Sequence, residues 1–170
     1  MMRKMLIWEK ILAGAQEVIK KYPVSGTKTS IHVQTIRSQK ILKEWKKECL
    51  DTYPQLVAMT PDPVARRFQF ALHDKQNGIV YELKLNMANP KAFLDKLVRK
   101  LITYNTLHEA SKDLRGLTES IAGKDYHKIS EVHVFTHAKV IEVYREALIT
   151  HYLSMVQKYF NVHIVFHPLE

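Results

Sequence analysis

Cysteine is almost missing from this chain: Cys49 is the single one in 170 residues. One thiol can close no intrachain disulfide and build no thiolate metal cluster. That usage fits a reducing compartment, and a cytoplasmic location is expected. Cys49 falls on the apolar side of a helical pattern with Ile41, Leu42 and Trp45, where a packed core thiol is the simplest reading. Glycine is scarce too, five in all, and no glycine-rich phosphate loop occurs, which argues against P-loop and dinucleotide folds. No serine or cysteine stands in a nucleophile-elbow context. No apolar run approaches the roughly 18–20 residues of a membrane span, so no membrane partner is expected. The basic start meets Glu9 and Lys10 too soon to read as a signal peptide. No internal repeat or low-complexity segment is present.

Acidic residues are the other shortage. Seventeen Asp and Glu face 26 Lys and Arg, a net charge of +9 with histidine neutral. The pI near 9.6 fits an anionic partner, most simply nucleic acid. The apolar fraction, 46%, and the charged fraction, 25%, are those of an ordinary globular chain, so only the sign of the charge points outward. The length suffices for one domain with a real core, residues 1–170, with a helical N-terminal part (1–52) and a sheet core (55–170).

Apolar residues recur at helical spacing over 5–21, until Pro23 and Gly26 stop the pattern. Residues 29–34 alternate and read as a short strand or extended arm. A second helix is expected over Arg37–Asp51, with a basic outer face of Arg37, Lys40, Lys43, Lys46 and Lys47. Such a face touches nucleic-acid phosphates or is simply solvated. Alternation around Phe68, Phe70 and Leu72, turn chemistry at Asp74–Gly78, and the run Ile79–Leu85 predict a β-hairpin over Arg67–Asn86. Asn89-Pro90 opens a helix over about 90–109, with Asn as N-cap and Pro in the first turn. Residues 110–129 read as a mobile loop, Glu131–Phe135 as a strand, Ala138–Phe160 as one long helix and Val162–Phe166 as a last strand. The expected fold class is α/β, a mixed central β-sheet flanked by helices.

Chemistry concentrates in the hairpin. In a strand, residues two apart share a face, so Glu82 and Lys84 converge while Tyr81 and Leu83 turn away. Pro61-Asp62 precedes them by twenty residues. Two carboxylates suit a hard cation, and an adjacent ammonium suits a charged phosphate. The same strand pair also reads as a solvated face with a cross-strand salt bridge. Pro61-Asp62 followed by Glu82-Leu83-Lys84 resembles the PD-(D/E)XK nuclease superfamily, which includes type II restriction endonucleases and junction resolvases. The order of elements over 55–166 resembles it as well. The resemblance implies a restriction endonuclease-like fold and cleavage of DNA phosphodiester bonds with Mg²⁺ or Mn²⁺. Asp62, Glu82 and the Leu83 carbonyl would hold the metal, and Lys84 would position water or stabilise the phosphate. A further acid from the leading helix would be Glu9 or Glu17, with Glu9 preferred. Lys96, Lys100 and Tyr104 would meet phosphate, and Lys40, Lys43 and Lys47 would add nucleic-acid contacts. Cutting both strands implies a homodimer. The alternative is a non-catalytic nucleic-acid-binding module on the same scaffold.

Two rivals can be weighed on residues alone. Asp74 could replace Asp62, which is flanked by prolines on both sides, but Asp74 sits at the hairpin tip. Among the nine histidines, His133/His137 and His163/His167 are four apart but run out of a strand instead of along one helix face, which is poor zinc geometry.

Overall fold

The computed structural model describes residues 5–24, 31–59, 70–86, 89–113 and 127–170. In chain order the elements are α1 (Ile7–Lys20), α2 (Ile31–Thr52), β1 (Leu56–Val57), β2 (Leu72–Asp74), β3 (Ile79–Leu83), α3 (Pro90–Asp113), β4 (Glu131–Thr136), α4 (Ala138–Val143), α5 (Ala147–Phe160) and β5 (His163–Pro168). The five strands lie side by side in sequence order, so β3 is the middle one. The first three form an antiparallel meander, with Leu56 opposite Asp74 and Leu72 opposite Tyr81. β3, β4 and β5 are parallel, with Tyr81 beside His133 and His133 beside Val165.

That topology decides which helices cover which face. Parallel neighbours need crossover connections, and right-handed crossovers that advance in one direction fall on one side of the sheet. α3 makes the first crossover and α4 with α5 the second. They pack with Val80, Val132, Val134 and Ile164. The opposite face carries Leu72, Tyr81, Leu83 and Phe135, covered by α1 and α2. α1 presents Ile11, Ala15 and Val18, one stripe at i, i+4, i+7. Trp45 of α2 is fully buried, and its indole N–H donates to the Ile11 carbonyl at 3.2 Å, tying the two helices together.

The hairpin turn is held by its own chemistry. Asp74 accepts from the Asn77 backbone N–H (3.2 Å) and side-chain amide (2.8 Å). Gly78 has φ +67°, and its carbonyl accepts from Ser130 N–H at 2.8 Å. A Cβ there would lie 2.8 Å from the Lys128 carbonyl oxygen. Gly78→Ala therefore combines left-handed strain with a backbone clash and is expected to destabilise by about 2 kcal/mol, measured by urea unfolding.

Three sequence expectations are corrected. The short strand or extended arm expected at 29–34 is helical from Ile31 onward, because α2 begins a turn and a half before Arg37. Residues 110–113 continue α3, and 114–126 lie outside the described residues. The long helix over 138–160 is broken at Tyr144–Glu146. Tyr144 is pinned there: its ring stacks on Phe166 (4.1 Å between centroids) and its hydroxyl donates to the Pro90 carbonyl at 2.7 Å. Beyond the break the inward stripe of α5 is Ile149 and Val156, whereas Leu148 is 83% exposed.

Candidate functional site

β3 is central, and its alternation sorts the motif as expected. Tyr81 and Leu83 are buried toward α1 and α2. Glu82 and Lys84 line a pocket on the other face, roofed by the N-terminal half of α3. α3 starts where Asn89 caps it, accepting the Ala92 N–H at 3.1 Å. From that start Phe93, Lys96, Leu97 and Lys100 recur at helical spacing and face the pocket, whose volume is about 330 Å³.

Among the described residues the pocket holds one carboxylate and three ammonium groups. Glu82 is 9% exposed, and one of its oxygens, Oε1, accepts the Ala71 N–H at 2.6 Å. That leaves the second oxygen for a ligand. Burial pushes the Glu82 carboxyl above its usual range. Lys84 opposes the shift most, followed by the Ala71 N–H, Lys100 and Lys46. The Lys84 ammonium lies over the Phe93 ring at 5.4 Å and that of Lys100 over the Phe70 ring at 5.9 Å. Aromatic faces thus hold both cations beside the acid. Burial lowers the Lys100 pKa, Glu82 raises it, and Lys84 and Lys96 add to the lowering.

Asp62 lies outside the described residues. Its described flanks do meet next to this pocket. The Phe70 N–H donates to Met59 Sδ at 3.3 Å, both residues belong to the α3-side core, and Ala71 holds Glu82. The rival Asp74 pairs with Ile79 and shares the face of Tyr81, opposite to Glu82, with both carboxylate oxygens committed to Asn77. Glu9 is a correction. It sits on α1, in the layer across the sheet from Glu82, where its carboxylate accepts the Leu6 N–H at 3.2 Å. Glu17 is exposed and paired with Lys20 at 3.0 Å.

Of the basic residues, Lys96 and Lys100 join Glu82 and Lys84, while Lys40, Lys43 and Lys47 do not. Lys43 and Lys47 border a surface hollow on α2, and Lys47 pairs with Asp51 at 3.6 Å. Lys40 lines a different pocket, beyond the end of β3. Tyr104 is also corrected: it is 4% exposed, and its hydroxyl accepts the His127 N–H at 3.2 Å. The histidine pairs part company, with His133 bonded to His167 (2.7 Å) and His137 to Glu170 (2.9 Å). Among the described residues no group of three or more His, Cys, Asp or Glu side chains is arranged to hold a metal ion. Sequence reasoning passed over Asn86, Asn89 and Phe93, which complete the pocket. The signal for Asn89 and Phe93 was present: the N-cap fixes the phase of α3, and Phe93 shares the phase of Lys96 and Lys100.

No known family, curated protein or solved structure matches this chain.

Proposed function

We propose that this chain is a metal-dependent DNA endonuclease with a restriction endonuclease-like fold of the PD-(D/E)XK kind. The observation that carries the reading is Glu82: a carboxylate buried on the central strand, with one oxygen uncommitted and three lysines around it. A buried charge that no packing argument requires is a candidate for chemistry. The residues fit a hard divalent ion, since Mg²⁺ is commonly held by one or two carboxylates plus waters and substrate phosphate. Glu82 and Asp62 would hold it, with the Leu83 carbonyl. When bound, the ion would supply positive charge to the phosphate and make a bound water easier to ionise.

The chain's own residues supply the rest. Lys84 orients the attacking water and stabilises charge on the phosphate, while Lys96 and Lys100 hold the neighbouring backbone. Hydrolysis forms one P–O bond to water oxygen and breaks the P–O bond to the departing sugar oxygen, which leaves with a proton. One site cuts one strand, so restriction-type cutting of both strands follows from two copies related by a twofold axis.

The test is nicking of supercoiled plasmid with Mg²⁺ or Mn²⁺. Lys84→Ala and Asp62→Asn are each expected to lose cleavage about 10²-fold while keeping DNA binding. Wild-type protein that binds DNA but cuts neither plasmid nor oligonucleotides with either metal would overturn the reading. A second reading, nucleic-acid binding without catalysis, is favoured by the ratio of three ammonium groups to one described carboxylate. It predicts metal-independent binding and no nicking.

A further inference from the structure

A second pocket, of about 640 Å³, opens on the α1/α2 side of the sheet just past β3. Asn86 lines both this pocket and the one that holds Glu82. It follows Glu82 by four residues, a reach of at most ~14 Å. The two pockets are therefore neighbours that meet at one residue, and a ligand longer than a single nucleotide can occupy both.

The walls of the second pocket combine two chemistries. One side is apolar: Tyr22, Val24 (63% exposed) and Ile36 (39% exposed) present carbon surface to solvent at its mouth. The other side is cationic. Arg37 and Lys40 stand one helical turn apart on α2. The Arg37 Nε donates to the Tyr22 carbonyl at 2.6 Å, which fixes the guanidinium and leaves its terminal nitrogens for an anion. Lys21, at the same mouth, is different: it lies 3.7 Å from Glu44 and 3.4 Å from Glu48, which offset its charge. Asn86 is also fixed. Its amide nitrogen donates to Ser38 Oγ at 2.6 Å, leaving its oxygen as an acceptor. An apolar wall, a fixed guanidinium and an amide oxygen match one nucleobase with its phosphate. A paired base inside a duplex could not enter such a pocket.

We infer that this pocket takes one unstacked nucleotide next to the scissile phosphate, so that the preferred substrate carries unpaired nucleotides at the cut. The inference rests on the nuclease reading for the word scissile, but the binding preference is measured without cleavage. The probe is a fluorescent oligo(dT) against a blunt duplex of equal length, followed by anisotropy in EDTA. Wild-type protein is expected to bind the single strand at least about tenfold tighter. Ile36→Trp, which fills the pocket from an exposed position, is expected to erase that preference while leaving duplex affinity in place. Val24→Trp fills it from a second exposed position on the apolar side and serves if the first variant misfolds. Lys40→Ala is expected to weaken binding and reduce the salt slope by about one.

Equal affinity for the two forms in wild type, or a preference that survives both tryptophans, overturns the inference. Free thymidylate that competes as well as the oligomer would make this a mononucleotide site and overturn it too. Plasmid cutting without the preference removes this inference alone. The preference without any cutting removes the nuclease reading alone.

Discussion

Replacing Glu82 with glutamine is expected to reduce cleavage about 10³-fold and to raise the melting temperature. The two effects share one cause. Glutamine keeps an oxygen for the Ala71 N–H, so the 2.6 Å bond survives. It removes a negative charge whose burial is the largest influence on the group. Because the folded carboxyl titrates above its ordinary 4.5, the folded state binds more protons than the unfolded one above that pH. Stability contributed by this residue is then present at low pH and falls as pH rises through the folded pKa. Wherever the buried carboxylate is ionised in the folded state its burial costs stability, and glutamine avoids that cost. The gain should be larger at pH 7.5 than at pH 5, which thermal melts at the two pH values check. A purely structural acid makes the opposite prediction: removing one partner of a buried charge cluster costs roughly 3–5 kcal/mol. A melting temperature that drops sharply would place Glu82 among the structural residues and remove the main support for catalysis.

Local signals were read well where one element decides its own geometry. Period-two alternation placed Glu82 of β3 and Lys84, just past its end, on one side of the sheet and Tyr81 and Leu83 on the other. Asn89-Pro90 marked the start of α3, and Asp74–Gly78 marked the turn. The order of strands and crossover helices followed from the same signals and gave a mixed α/β sheet. What failed was set by partners distant in the chain. Tyr144 breaks a helix because Pro90 and Phe166, both far away in sequence, hold its side chain. Tyr104 looked like a pocket residue on helical spacing, yet packing against His73 and His127 drew it into the core. Glu9 shares a helix with residues that pack under the sheet, and the side that α1 covers is not a property of α1 alone. Half of the proposed metal site, Asp62, rests on the sequence pattern, and Glu82 is the half that stands in the described structure.

Acid should unfold this protein through a part of the core that sequence periodicity could not reveal. His133 and His167 lie on neighbouring parallel strands and meet at 2.7 Å, Nδ1 to Nε2. The other nitrogen of His133 bonds Glu131 at 2.8 Å. Trp8 stacks on His167 with ring centroids 3.9 Å apart, and Tyr81 stacks on His133 at 5.4 Å. With His133 donating from Nε2 to the Glu131 carboxylate, its Nδ1 accepts from His167 Nε2, so this contact is made with both rings neutral. A further proton on Nδ1 would set two N–H groups against each other. Burial, with His133 adding to it, pushes His167 down from 6.5 to about 4. Burial also lowers His133, against the pull of Glu131. The unfolded chain therefore binds more protons than the folded one below pH 6.5, and stability is lost as pH falls toward 4. From the His167 shift alone the loss is roughly 3 kcal/mol, at ~1.4 kcal/mol per pH unit. Urea unfolding at pH 7.5, 5.5 and 4 should show it as a fall in the midpoint at constant slope. His167→Gln offers His133 a donor that does not titrate, so its stability should decline over the same range by roughly 3 kcal/mol less. Parallel declines in wild type and variant would show that the acid sensitivity arises elsewhere and that the stacked pair is only packing.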